Sequence, residues 1–87
     1  MSTTAVRTEE LRNIGPVTAG WLHEVGIDSP RDLRKLGSAE AYKRVKAWRP
    51  WDVTLMLLWA LEGALMDEDW MDVPPDRRLE LRRAVGA

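Results

Sequence analysis

The segment that most limits how this chain can fold is Val53–Met66, VTLMLLWALEGALM, whose only polar side chains are Thr54 and Glu62. A helix apolar on nearly all sides must be surrounded by protein or by lipid. At 14 residues the segment is too short for the roughly 20 that span a bilayer, so it reads as the buried central helix of a bundle. The whole chain has 87 residues, enough for one core. No membrane segment or secretory signal is expected, and the inferred location is cytoplasmic.

Helix signals fill the remaining chain, and no stretch alternates apolar and polar residues as a half-buried strand does. Thr8 reads as the N-cap of a short first helix ending near Asn13, with Leu11 and Ile14 pointing inward. Gly15-Pro16 restarts the chain, because proline suits a first helical position. Val17, Trp21, Leu22 and Val25 are then expected on one face, and Gly26-Ile27 closes that helix. Ser29 and Asp32 form a short capping box for a helix ending at Gly37, with Leu33 and Leu36 inward. Ser38 is expected to cap the next helix, through Trp48, with Ala41, Tyr42 and Val45 apolar. Arg49-Pro50 stops it, and Asp52 caps the central helix. A last helix, from about Pro75 to Val85, is tied down by Leu79 and Leu81. The expected architecture is all-α: a compact bundle of about five or six short helices, with residues 1–7 a flexible N-terminus and 8–87 a single domain.

Catalytic signals are weak. There is no Cys, and the single His23 has no evident nucleophile partner. Asp67, Glu68, Asp69 and Asp72 lack the glycine turn and terminal glutamate of a calcium loop, so they read as a solvated helix end. No metal, cofactor or small-molecule substrate is expected. The five Trp (21, 48, 51, 59, 70) could stack on bases. In a chain without Phe, core volume is the favoured role for most, with Trp48, Trp51 and Trp70 plugging its corners.

The net charge of -1 hides a split. From Arg31 to Arg49 the basic residues Arg31, Arg34, Lys35, Lys43, Arg44, Lys46 and Arg49 face only Asp32 and Glu40, net +5, whereas the chain from Trp51 onward carries net -4. Such a basic face can track a phosphate backbone, meet an acidic protein or simply be solvated. The stretch Leu11–Ala19, LRNIGPVTA, resembles a helix-hairpin-helix turn, with Asn13 in the position that favours a left-handed backbone. In DNA-binding hairpins, turn N–H groups hold a phosphate. Here Pro16 donates none, and Val17 stands where a cation is common.

Together, Leu11-Arg12-Asn13-Ile14-Gly15-Pro16, Trp21-Leu22, Val25-Gly26-Ile27, Asp32-Leu33, Leu36-Gly37, Glu40-Ala41-Tyr42, Leu57-Leu58, Ala60-Leu61-Glu62-Gly63-Ala64-Leu65 and Trp70 resemble the C-terminal domain of the TfoX/Sxy competence regulators. The resemblance implies a helical domain of helix-hairpin-helix, SAM-like type. In that family it follows a separate α+β domain, acts in switching on DNA-uptake genes in bacteria, and supplies no catalytic residues. The resulting expectation is a non-enzymatic regulatory module contacting DNA or the transcription machinery. Its candidate nucleic-acid residues are Asn13, Gly15, Thr18, Arg31, Arg34, Lys35, Lys43 and Arg44. The alternative is a protein–protein or dimerisation module using the corner Trp48, Arg49 and Trp51, which carries two residue types common at binding hot spots.

Overall fold

The computed structural model describes residues 7–87, and the flexible start expected for residues 1–7 lies almost wholly outside them. The described residues form five α-helices and two short 3-10 turns, with no strand among them. In order these are the 3-10 turn Thr8–Glu10, α1 Pro16–Glu24, α2 Pro30–Leu36, α3 Ser38–Trp48, α4 Leu55–Met66, the 3-10 turn Trp70–Asp72 and α5 Pro75–Val85. The radius of gyration, 12.1 Å, is close to the roughly 12 Å of a compact domain this long.

The central apolar segment is buried as expected: Leu57, Leu58, Trp59, Leu61, Glu62, Gly63 and Ala64 all lie inside. Truncating a fully enclosed residue such as Leu58 would cost about 2–5 kcal/mol. The centre is nonetheless shared. α3 packs against α1, α2, α4 and α5, because Ala41, Tyr42 and Val45 place one apolar stripe inward.

Several helix ends follow their local signals. α1 starts at Pro16 and closes with Gly26 at φ 83°, the Ile27 N–H donating to the Leu22 carbonyl and Ile27 fully buried. That is the pairing expected of a glycine-closed helix. Ser29 caps α2 by accepting from the Asp32 N–H, and the Asp32 carboxylate accepts from the Asp28 N–H.

Elsewhere long-range contacts override local preference. The first helix is a single 3-10 turn with Thr8 buried inside it, not capping it. Gly37 is the N-cap of α3; Ser38 lies within the helix and its hydroxyl donates to Glu62 Oε1 at 2.6 Å. Thr54 caps α4, accepting from the Met56 N–H, because Asp52 is drawn to Arg49 instead. Val17 faces solvent at 68% exposure, and Leu79 at 49%, leaving Leu81 to anchor α5. Arg78 shares that anchoring. It donates to the Val73 and Trp70 carbonyls and lies over the rings of Trp59 and Trp70.

The one carboxylate in the core is fully matched. Glu62 accepts from Ser38 on one oxygen and from Arg77 Nε, at 2.9 Å, on the other. These bonds join α3, α4 and α5 and offset the cost of burying the charge.

Candidate interaction surfaces

The hairpin comes first because it positions one wall of the site. Asn13 takes the left-handed backbone expected of it, at φ 71°. Its side chain turns inward: Nδ2 donates to the Glu68 carbonyl at 2.8 Å and Oδ1 accepts from the Trp70 N–H at 3.2 Å. The amide therefore locks the hairpin to the far end of α4. Gly63 makes the approach possible, since a Cβ there would lie 2.6 Å from Asn13 Nδ2 and 2.8 Å from the Glu68 carbonyl oxygen. Gly15, exposed at φ -93°, caps α1 through its backbone alone.

Locked in this way, α1 and α4 leave an open groove of about 300 Å³ between them. Asn13, with Thr18 and Trp21 of α1, lines it on one side, and Trp70 lines it as well. The other wall comes from Asp52, Thr54, Met56, Leu57 and Ala60. One lining residue, and three residues next in sequence to lining residues, are exposed and apolar. Met56 is both a lining residue and 46% exposed. Val17, Trp51 and Met71 are chain neighbours of the lining residues Thr18, Asp52 and Trp70, at 68, 95 and 64% exposure. Large apolar side chains left exposed near a hollow are the kind of surface that proteins bury against a partner.

A polar clamp joins α1 to the α3–α4 corner and touches the groove-lining Asp52 and Trp21. Glu24, at the end of α1, accepts from Arg49 Nε and Nη2, both at 2.8 Å, and from Trp48 Nε1 at 3.0 Å. Arg49 also pairs with Asp52 and lies 5.8 Å from the Trp21 ring centre. The two-pronged ion pair holds the Glu24 carboxyl below the usual carboxylate range, and raises the already high Arg49 value. With Arg49 fixed, Trp48 stands 63% exposed and Trp51 95% exposed. Neither plugs a corner of the core, a role left to Trp21, Trp59 and Trp70. Glu24 went unmarked in the sequence because its partners lie 24 and 25 residues away.

The basic segment separates into three groups. Lys46 donates to the Pro50 and Val53 carbonyls, and Arg49 belongs to the clamp, so both serve the α3–α4 corner. Lys43 and Arg44 are exposed and share the single carboxylate of Glu40. Arg31, Arg34 and Lys35 are exposed on α2, and no ion pair to them occurs among the described residues.

The chain matches the model of the TfoX C-terminal domain over residues 4–85. Two crystal structures from Listeria monocytogenes share its fold. One, of an uncharacterized protein in a triclinic form, is 33% identical with a TM-score of 0.82, covering 91% of this chain and 86% of the other. The second, of a protein of unknown function in a tetragonal form, is 34% identical with a TM-score of 0.78, covering 87% and 93% respectively. No curated protein matches the chain. With nearly its whole length inside the family model and its fold shared at one-third identity, the chain belongs to the TfoX C-terminal domain family.

Proposed function

We propose that this domain is a non-enzymatic regulatory module that docks a protein of the transcription machinery in the groove between α1 and α4. The observation that carries the reading is exposed apolar surface in and next to that groove: Met56, which lines it, and Trp51, 95% exposed and adjacent in sequence to the lining Asp52. Covering one Trp ring removes on the order of 200 Å² from water, worth up to about 5 kcal/mol before the cost of association. The Glu24–Arg49 clamp fixes the corner in advance, so less order is lost on docking. Met56 and Met71 add adaptable surface of the kind common at protein-binding sites.

His23 hydrogen-bonds Asp28, an arrangement that could orient a base. The hollow beside them, about 340 Å³, is otherwise lined, among the described residues, by Arg7, Glu9, Pro16, Ala19 and Gly20, none of them a hydroxyl or thiol nucleophile.

The test is site-directed photo-crosslinking in the native cell, with the reactive residue at position 51, 56 or 83. Positions 51 and 56 should give the same adduct, with a component of the transcription complex, and position 83 on α5 should not. The same adducts from all three sites, or none at 51 and 56, would remove the reading.

A further inference from the structure

The cations of α2 make no ion pair among the described residues. Arg31, Arg34 and Lys35 stand at i, i+3 and i+4, so they form one stripe along the helix, opposite the buried Leu33. The one carboxylate of α2, Asp32, is engaged at its N-terminus with the Asp28 N–H. Helix stability does not account for the stripe either. Arg34 and Lys35 in the last turn suit the helix dipole, but Arg31 in the first turn opposes it. None of the residues lining the groove belongs to α2.

We infer that the outward face of α2 is a docking strip for the phosphate backbone of duplex DNA, held by Arg31, Arg34 and Lys35. Charge complementarity selects a polyanion, and the absence of apolar surface selects the duplex over an acidic protein. Protein interfaces have an apolar centre. The exposed large apolar residues are Val17, Trp48, Trp51, Met56, Met66, Met71 and Leu79, and none lies on α2. Phosphate contacts, by contrast, need only placed cations, and two of the three are arginines, whose planar fork meets phosphate on two oxygens. On α3, which packs against α2, Lys43 and Arg44 share Glu40 and leave one surplus positive charge.

The expected binding is weak, independent of sequence and steeply dependent on salt. Neutralising about three phosphates gives a slope of about -2.7 in log affinity against log salt, or about 40-fold between 50 and 200 mM. Anisotropy of a labelled 20-base-pair duplex, titrated with the whole chain, measures this directly. Arg34→Gln with Lys35→Gln should flatten the slope by about 1.8. Arg82→Gln with Arg83→Gln, the same change in net charge placed on α5, should leave the slope unchanged. Circular dichroism should show both variants folded. No binding at 50 mM salt, an equal loss from the two variants, or equally tight binding of a polyglutamate chain would each overturn the assignment. Trp51→Ala should leave duplex affinity intact, so this strip and the protein-docking groove fail or survive separately.

Discussion

The hairpin at Asn13 and the corner at Trp48–Trp51 are built from similar parts and used in opposite ways. Each is a short connection with a proline at its turn, Pro16 or Pro50, and each is fixed by polar bonds to a residue far along the chain. At the hairpin the Asn13 amide points inward and both ends of it are bonded. At the corner, Glu24 and Arg49 bond to each other at the surface, about one-third exposed, and the side chains they frame point outward. The first arrangement closes a joint. The second leaves two tryptophans in water that the core does not need, and a fold gains nothing from that. Evidence for function therefore lies at the corner and along the groove it borders, while the hairpin chiefly sets the position of the groove wall.

That contrast fails if the hairpin proves dispensable. The largest loss in this comparison is expected for Asn13→Ala, which leaves the Trp70 N–H and Glu68 carbonyl without their side-chain partner and puts alanine at φ 71°, a conformation asparagine accepts more readily. About 2–4 kcal/mol of unfolding free energy should disappear in urea titrations. A loss near zero would mean the hairpin is not locked. Gly63→Ala should come next. Its new methyl would sit within 3 Å of backbone as well as of a side chain, so overpacking of about 1–3 kcal/mol outweighs the 0.5–1 that alanine gains in a helix. Gly15→Ala, with open space at its Cβ and φ -93°, sharpens the comparison and should change stability by no more than about 0.5 kcal/mol.

What could be read from the chain in advance divides along the same line. Pro16, Gly26-Ile27, Ser29, Arg49-Pro50 and Pro75 act on their own neighbours, and the helix boundaries they signal are the ones present. Asn13 shows the limit. Its backbone conformation was legible, because only a few residue types accept it, but its hydrogen-bond partners lie 55 and 57 residues away. Ser38 and Asp52, expected as caps, show the same limit: they bond Glu62 and Arg49 instead. Trp59 sits in the apolar run and is 8% exposed, whereas Trp51, between Pro50 and Asp52 at a helix end, is 95% exposed: whether a ring at such a corner turns into the core is decided by packing. Net charge per segment showed a basic stretch. Which of its cations were free needed the positions of Glu24, Glu40, Pro50 and Val53.

The smallest effect on stability is expected at the corner itself, and it tests the contrast most directly. The Glu24 carboxyl titrates below its ordinary 4.5 in the folded chain because of Arg49. A lowered folded value means the clamp contributes above that range and is lost as pH falls through it, while Arg49 keeps its charge throughout. With fluorotryptophan incorporated at all five tryptophans, ¹⁹F NMR resolves the corner from the core. The Trp48 resonance should move with a midpoint below pH 4.5 as its indole N–H loses Glu24. Glu24→Gln should abolish that midpoint. The Trp59 resonance should stay fixed over the same range, because its ring is 8% exposed and packed in the core. Trp51→Ala, removing a ring that is 95% exposed, should leave the urea midpoint almost unchanged and remove the partner adduct formed from position 56. If Trp51→Ala instead unfolds the chain, the ring is holding the structure together, and the corner would belong with the hairpin as part of the fold.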